Sequence, residues 1–384
     1  MVQRYGLEVN GGAELLCRLV AQRLSRHHEV EVITTCAKDY ITWKDEYSPG
    51  REEINGVSVL RFPVDRQRDM RKFSHISEKV FGQAHSEARE LEWMKEQGPY
   101  STGLLDYLKG NNDRYDCFIF VTYLYCTTFF GLPLVKDKAI LLPTAHDEPP
   151  VYLSIFRPIF SLPKAMIFNT EEEKHFVDSM FKSQNTPSRV IGVGIDPPVE
   201  IDPESFKRKY GLANYIIYAG RIDESKGCQE MFDYFLRYKR ESREDIKLVL
   251  LGRAAMKVAR DPSIISLGFV SDEDKFNGIA GSRLLIMPSK YESFSIVIME
   301  AWHCRRPVLV NGRSEVLRGH AIRSNGGLWY RSYDEFRECL KLMLSDERLS
   351  DKLGQNGRKY VEENYSWDVV ESKYRDFLEK LASS

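Results

Sequence analysis

A chain of 384 residues is longer than one ordinary hydrophobic core supports, so its length predicts two domains. A net charge of −1 and a pI near 6.7 exclude a broad electrostatic footprint for nucleic acid. The apolar runs are all shorter than a membrane-spanning helix requires, so any membrane contact would be peripheral.

The seven cysteines are scattered, and no two of them have the Cys-x-x-Cys spacing. An odd number of scattered cysteines is typical of a reduced protein without structural zinc. The amino terminus shows no signal-peptide pattern. These features predict a cytoplasmic protein, with the inner face of the membrane as the setting for any peripheral contact.

A glycine pair, Gly11-Gly12, directly precedes the first amphipathic helical pattern. Such a pair is typical of a phosphate-binding turn between a strand and a helix. No strand pattern precedes it here, which indicates a late start or the loss of several residues. A flexible glycine pair ahead of a helix is the structural alternative.

Strand patterns then alternate with helical ones, which is typical of the α/β class with parallel sheets. In the first half, β-branched or continuous apolar runs predict strands at 28–35, 55–62, 117–121, 139–142 and 165–169. In the second half, the same patterns predict strands at 215–219, 247–253, 264–269, 284–287 and 307–311. Glycine and proline collect at residues 189–198 behind a short predicted strand and mark a domain boundary.

A basic cluster opens the charged, helical region between 64 and 109, and it consists of Arg66, Arg68, Arg71 and Lys72. Such a cluster is most often a solvated face. An anionic lipid surface or a phosphorylated acceptor is the alternative partner.

Two polar segments of the first half lie next to predicted strands. His146 lies in the turn after 139–142, at a strand's carboxyl end, where open α/β sheets bind ligands. A histidine in a loop can equally have no role beyond the loop. Thr170 and Glu173 have the spacing of a capping box and predict the start of a helix.

Cations follow the predicted strand at 215–219, where Gly220-Arg221 and Lys226-Gly227 flank a polar loop. The turn from Pro288 carries two acids eight residues apart, Glu292 and Glu300, about two turns along one side of a helix. Its amides suit a phosphate and its carboxylates suit sugar hydroxyls. The alternative is an ordinary helix start, with Glu292 favouring the dipole and Glu300 on a solvated face.

In combination, these motifs resemble family four of the retaining glycosyltransferases, which have the GT-B architecture. The likeness is spread over most of the chain and is strongest in its second half. The matching motifs are Gly11-Gly12, His146-Asp147, Gly220-Arg221, Lys226-Gly227, Glu292 with Glu300, Ala301, Pro307-Val308 and Ser366-Trp367.

The resemblance implies two facing, doubly wound, Rossmann-like domains with parallel sheets. An acceptor-side domain is expected at 1–194 and a nucleotide-sugar domain at 195–364. A helix at 365–384 is expected to cross back to the first domain.

The resemblance also implies a role for each site residue. Arg221 and Lys226 are expected on the leaving diphosphate, Glu292 on the donor sugar, and His146 near the reacting face of that sugar. Glu300 is expected on the ribose hydroxyls. The remaining donor-binding positions are Gly11, Gly12, Gly220, Gly252, Arg253, Phe269, Val270, Ser293, Phe294 and Ser295.

The implied reaction is a front-face transfer that retains the anomeric configuration and uses no protein nucleophile. No cofactor or metal is expected, because cationic side chains serve the leaving group. The triplet Asp272-Glu273-Asp274 has the D-x-D form of metal-dependent transferases, but it follows Ser271 and predicts a helix cap. The expected partners are a nucleotide sugar and a glycan, lipid-linked or other acceptor, and not nucleic acid.

Three departures from the family surround the nucleotide edge and leave the donor undetermined. Arg305 and Ser295 stand where glycine is usual, and residues 311–316 replace the usual serine-aspartate and glycine pair. The altered loop and the absent first strand motivate an alternative, a nucleotide-sugar-binding protein of glycan assembly without transfer activity. A phosphorylase or an epimerase is a third possibility, although no motif marks the cofactor lysine of a glycogen-type phosphorylase.

Overall fold

The structure, a computed structural model, describes residues 1–9, 11–242 and 244–383. It divides into two compact units. Unit 1 comprises Met1–Val193 with Val370–Ser384, and unit 2 comprises Gly194–Val369. The predicted boundaries fall after 194 and 364, whereas the units meet after 193 and 369.

Unit 1 is an α/β unit. Its strands are β1 (Glu31–Thr35), β2 (Gly50–Ile54), β3 (Val57–Phe62), β4 (Phe118–Val121), β5 (Ala139–Leu142), β6 (Ala165–Phe168) and β7 (Ser188–Val190). Its helices before the boundary are α1 (Gly12–Leu24), α2 (Met70–Gly82), α3 (Glu87–Gln97), α4 (Thr102–Gly110), α5 (Cys126–Gly131), α6 (Phe156–Ser161) and α7 (Glu171–Phe181). The apolar core lies between these helices and the central strands, where β5 and β6 are buried throughout.

The first residues join two sheets of unit 1, with strand orders β1-β3-β2 and β4-β5-β6-β7. The Val2 amide donates to the Ile33 carbonyl in β1, and the Val121 amide of β4 donates to the Met1 carbonyl. Residues 1–2 therefore lie between β1 and β4. No strand was expected here and none is assigned, yet the backbone does bond to both neighbouring strands.

Unit 2 has the same alternation of strands and helices. Its strands are β8 (Tyr215–Ala219), β9 (Lys247–Leu251), β10 (Ile264–Ser266), β11 (Leu285–Met287), β12 (Val308–Asn311) and β13 (Gly327–Tyr330). Its helices are α8 (Pro203–Tyr210), α9 (Cys228–Ser242), α10 (Asp272–Gly281), α11 (Ile296–His303), α12 (Glu315–Ser324), α13 (Tyr333–Ser345) and α14 (Glu347–Tyr365).

The sheet of unit 2 has the order β10-β9-β8-β11-β12-β13, and every pair of neighbours is parallel. The chain adds strands on one side of β8 up to β10 and then returns to the other side at β11. This reversal makes the boundary between β8 and β11 a topological switch point. In open parallel sheets, ligands bind at the carboxyl ends of the strands at this place.

The last helix, α15 (Trp367–Ala382), begins in unit 2 and continues in unit 1. In unit 1, Glu371 lies 3.5 Å from Arg23 of α1, and Lys164 donates to the Leu381 carbonyl over 2.8 Å. Within the described residues, no helix combines the length and the apolar character that a membrane span requires.

Two strands escaped prediction. The edge strand β2 has four exposed residues and pairs antiparallel with β3, so it lacks the apolar signal of a core strand. The Asn55-Gly56 turn joins these strands, with both residues at positive φ as a two-residue hairpin requires. The segment Asn325-Gly326-Gly327 predicts a turn from its glycine pair. The strand β13 nevertheless begins at Gly327, because pairing with β12 outweighs the local glycine signal.

The carboxyl end of α11 explains the family's preference for glycine at one position. The Arg305 amide donates to the Trp302 carbonyl and the Arg306 amide to the Ala301 carbonyl, which together form a Schellman motif. This motif requires a left-handed residue, and Arg305 has φ of 56°. A side chain at this φ is strained, whereas glycine adopts it readily.

We expect Arg305→Gly to raise the free energy of unfolding of unit 2 by up to about 1 kcal/mol, because the left-handed conformation costs a side chain about 1–2 kcal/mol and the greater chain entropy of glycine offsets about 0.5–1 kcal/mol of the gain. The midpoint of urea denaturation, at unchanged slope, measures this gain. Lys341→Gly, at an exposed position inside α13, is the matched control and should cost about 1 kcal/mol. A loss of stability in Arg305→Gly would contradict this account.

Candidate functional site

The cationic loop and the acidic turn of unit 2 meet at the switch point. Arg221 and Lys226 follow β8, and Glu292 follows β11, the neighbouring strand. Lys226 Nζ lies 2.8 Å from Glu292 Oε1. The structure therefore brings Lys226 and Glu292 into contact at the carboxyl ends of adjacent strands, with Arg221 in the same loop as Lys226.

Arg221 is oriented by an acid that sequence reasoning did not select. Its Nε lies 3.4 Å from Asp223 Oδ2, and Asp223 also accepts from the Ser225 amide and hydroxyl. Partial burial raises the pKa of Asp223, but these bonds and the nearby cations outweigh burial and hold it below its usual value. Asp223 therefore stays ionised and fixes the start of the loop.

Close backbone approaches explain two of the site glycines. A β-carbon at Gly252 would lie 2.0 Å from the Gly220 carbonyl oxygen, and one at Gly227 would lie 2.4 Å from the Pro288 carbonyl oxygen. Only glycine permits such contacts. These glycines bring the turns after β8, β9 and β11 together.

The second predicted acid, Glu300, has a cationic partner. Lys275 of α10 places its Nζ 2.7 Å from Glu300 Oε1 and 2.9 Å from Asp272 Oδ1. Burial lowers the pKa of Lys275, but the two carboxylates outweigh it and raise the pKa above its usual value. Glu300 is itself buried, so the alternative of a solvated face is wrong.

The start of α11 is held in an unusual conformation. Ser295 precedes the helix with φ of 72°, and it is buried. Its Oγ has no hydrogen-bond partner within the described residues. Phe294 anchors the turn by packing against the rings of His320 and Tyr365, with centroids 5.5 and 5.1 Å away. These ring contacts fix the turn, which also contains the half-buried Ser293.

The remaining predicted donor residues of unit 2 lie farther along the sheet. Arg253 follows β9, and Phe269 and Val270 follow β10. Arg253 is exposed, and Phe269 exposes 68% of its surface. An apolar ring so exposed at a strand's carboxyl end suits a flat ligand.

The predicted residues of unit 1 form separate groups. His146 follows β5, with its Nδ1 3.6 Å from Glu148 Oε1. Glu173, in α7, fixes Ala145, the residue before His146, by accepting from its amide over 2.7 Å. Burial raises the pKa of Glu173 to about 8. The predicted cap is confirmed, since the Glu173 amide donates to the Thr170 hydroxyl.

The glycine pair of unit 1 has one constrained member. A β-carbon at Gly11 would lie 2.1 Å from Glu14 Oε2, whereas one at Gly12 would meet open space. Glu14 is buried and pairs with Arg4 at 2.5 Å, while Gln3 donates to the same oxygen. This ion pair was not predicted, because Arg4 and Glu14 lie ten residues apart with no regular pattern between them.

The basic cluster of unit 1 is largely paired or stacked. Arg66 and Lys72 both contact Glu96, at 2.6 and 2.7 Å. The Arg68 guanidinium lies 4.8 Å from the centre of the Trp43 ring, and burial lowers its pKa to about 10. These contacts favour a structural role over a lipid or phosphate surface.

The D-x-D triplet opens α10, as predicted. The Ser271 hydroxyl accepts from the Asp274 amide, and Asp274 pairs with Lys209 at 2.6 Å. Among the described residues, no group of three or more His, Cys, Asp or Glu side chains could hold a metal ion. All seven cysteines are free thiols.

The fold and the site together define a class of protein. Two parallel-sheet α/β units, with cations and acids at a switch point, are the architecture of GT-B glycosyltransferases. Sucrose-phosphate synthase from Thermosynechococcus elongatus shares this fold, with a TM-score of 0.75 and 14% identity over 100% of this chain and 99% of that chain. Anabaena HepE in complex with UDP-glucose has a TM-score of 0.70 and 14% identity over 100% and 99%.

Residues 202–360 match the family model of the glycosyl transferases group 1. An uncharacterised glycosyltransferase of Methanocaldococcus jannaschii is 26% identical over 95% of this chain and 93% of its own length. The D-inositol 3-phosphate glycosyltransferase of Jonesia denitrificans is 24% identical over 63% of this chain and 62% of its own length. The resemblance inferred from the motifs is confirmed.

His320, beneath the turn, makes the stability of unit 2 depend on pH. It is fully buried, its Nδ1 lies 3.1 Å from the Tyr360 hydroxyl, and burial lowers its pKa from 6.5 to about 3. The folded state therefore favours the neutral ring. The contribution of the neutral His320 ring to the free energy of unfolding is fully present above pH 6.5 and is lost as the pH falls towards 3.

We expect His320→Gln to flatten the pH dependence of the free energy of unfolding between pH 6.5 and 4. For each unit that the pH falls, the free energy of unfolding of the wild type should decrease by up to about 1.4 kcal/mol more than that of the variant. This is the value for one additional proton bound on unfolding. Urea denaturation at several pH values measures both slopes. His75→Gln, at an exposed position in α2, should keep the wild-type slope. Equal slopes in all three proteins would contradict this assignment.

Proposed function

We propose that the protein is a retaining, metal-independent glycosyltransferase that moves a hexose-type sugar from a nucleotide diphosphate to a glycan, lipid-linked or other acceptor. The observation that carries this proposal is the Lys226–Glu292 ion pair at the switch point of unit 2, in the loop that also carries Arg221. A diphosphate needs cations and a sugar needs hydroxyl acceptors, and both occur side by side here.

The leaving diphosphate is the group that Arg221 and Lys226 serve. Negative charge develops on it as the glycosidic bond breaks, so a cation placed beforehand stabilises the transition state more than the bound donor. The ammonium of Lys226 has three donors, and Glu292 accepts one of them. The ion pair thus orients Lys226 before the donor arrives.

The start of α11 supplies further donors to the same phosphates. Backbone amides in the first turn of a helix have no carbonyl partner inside it, and the helix dipole favours an anion there. The left-handed Ser295 precedes these amides, with Phe294 anchored beneath them. Glu292 accepts from the donor sugar, and Glu300, oriented by Lys275, accepts from the ribose hydroxyls.

The relatives support glycan assembly as the setting. A capsular polysaccharide biosynthesis glycosyltransferase of Staphylococcus aureus is 23% identical over 55% of this chain, and an O-antigen chain mannosyltransferase of Escherichia coli is 28% identical over 29%. The structure of Anabaena HepE contains UDP-glucose. UDP-glucose and GDP-mannose are therefore the first donors to test, with UDP and GDP as binding probes.

A donor panel measured by calorimetry and by mass detection of product tests the proposal. We expect one nucleotide sugar to bind with one site per chain and to be transferred or slowly hydrolysed. Binding without transfer to any acceptor would favour the alternative, a nucleotide-sugar-binding protein of glycan assembly. Failure of every donor to bind would refute both.

We expect Arg221→Ala and Lys226→Ala each to cost about 2–4 kcal/mol of transition-state stabilisation, or roughly 30- to 1,000-fold in kcat, as for removal of a preorganised donor. Steady-state kinetics with the donor found in the panel measure this loss. Lys341→Ala, at an exposed position in α13, is the control and should retain wild-type kcat. Near-normal turnover in both site variants would contradict their assigned role.

We expect transfer to persist after exhaustive dialysis against EDTA, because arginine and lysine supply the charge that Mg²⁺ supplies in metal-dependent transferases. The product should retain the anomeric configuration of the donor, which NMR of the early product reports. Loss of activity with EDTA and its recovery on adding Mg²⁺ would overturn the metal-independent mechanism.

A further inference from the structure

We propose that Asn311 is a positioning residue that fixes the turn carrying Glu292 relative to Lys226. The inference rests on the proposed function, since it concerns the same site. Asn311 ends β12 and is fully buried. It also begins the segment in which the sequence departs from the family's usual serine-aspartate and glycine pair.

The Asn311 side chain connects two turns. Its Nδ2 donates to the Pro288 carbonyl over 3.0 Å, and its Oδ1 accepts from the Arg313 amide over 3.0 Å. Pro288 opens the turn that leads to Glu292, and Arg313 lies in the turn after β12. One buried amide group thereby holds the turns after β11 and β12 together.

Gly227 contacts the same carbonyl group. A β-carbon at Gly227 would lie 2.4 Å from the Pro288 oxygen, so the backbone of the Lys226-Gly227 turn passes directly beside it. The Pro288 carbonyl thus lies against the turn after β8 and is bonded to Asn311. The position of this carbonyl group therefore sets the distance between the turns that carry Lys226 and Glu292, whose Nζ and Oε1 atoms lie 2.8 Å apart.

Glu230 adds a charged link among these segments. It lies in the first turn of α9, the helix that begins directly after Gly227. Its Oε1 accepts from Asn311 Nδ2 over 3.3 Å. Its Oε2 lies 2.8 Å from Arg313 Nη1 and 3.5 Å from Lys290 Nζ. These ion pairs are partly exposed, so they contribute orientation more than stability.

Asparagine suits this position because its amide carries a donor and an acceptor on one rigid group. An aspartate of the same size would place an oxygen against the Pro288 carbonyl and next to the Glu230 carboxylate. A serine hydroxyl would reach less far. The substitution Asn311→Asp therefore removes the donor and keeps the side chain's shape.

The test compares Asn311→Asp with the wild type in the full chain, with UDP-glucose, GDP-mannose or whichever donor the panel identifies. We expect kcat to fall by about 10- to 100-fold, because misplacing a catalytic group by less than about 1 Å has effects of this size. The Kd of the nucleotide sugar, measured by calorimetry, should change by less than about threefold, with one site per chain.

Asn356→Asp is the matched control. Asn356 also donates from Nδ2 to a backbone carbonyl over 3.0 Å, that of Asn325, at a half-buried position. This variant should retain wild-type kcat. If Asn311→Asp does not fold, Asn311→Ser carries the same expectation, since its shorter side chain also loses the bond to Pro288.

A double-mutant cycle separates positioning from general structural support. If Asn311 acts through Lys226 and Glu292, Asn311→Asp should lower kcat far less in the Lys226→Ala background than in the wild type. Equal losses in both backgrounds would overturn the proposal, as would wild-type kcat or a reduced number of binding sites in the single variant. A wild type that neither binds nor transfers any donor would refute the proposed function, whereas these other outcomes refute only the role of Asn311.

Discussion

The reversal of strand order between β8 and β11 is the constraint on which the site of unit 2 depends. Adjacent parallel strands carry their following loops to the same edge, and at a switch point those loops diverge and leave a crevice. The cationic loop after β8 and the acidic turn after β11 are 66 residues apart in sequence at the Lys226–Glu292 ion pair. The topology alone makes them neighbours.

Charge pairing within unit 2 follows from partial burial of the site. Each predicted acid has a cation within hydrogen-bonding distance: Lys226 beside Glu292, and Lys275 beside Glu300. A carboxylate removed from water needs such a partner, because an unpaired buried charge is costly. The same pairs fix the orientation of these side chains near the carboxyl ends of the strands.

Backbone conformation explains why glycine is usual in the family at the two ends of α11, where this chain has other residues. Ser295 before the helix and Arg305 after it have positive φ, where glycine is usual in the family. The sequence pattern shows that these glycines are absent, but it does not show that the left-handed conformation persists. Packing of the Phe294 ring beneath the turn and the two Schellman bonds after the helix impose that conformation.

Continuous apolar runs such as those of β8 and β12 and the cap at Thr170 were readable from sequence, because burial on both faces and capping are local signals. The motifs at Arg221, Lys226, Glu292 and Glu300 were likewise recognised from residue type and spacing. The partner Lys275 and the contacts of Asn311 were not, since each depends on residues distant in the chain, and the edge strand β2 was not, since it lacks an apolar signal. The sequence by itself thus determined the α/β class, the family resemblance and the chemical groups of the site. Only the tertiary structure decided which groups meet, because strand order and loop packing depend on contacts that no local pattern encodes.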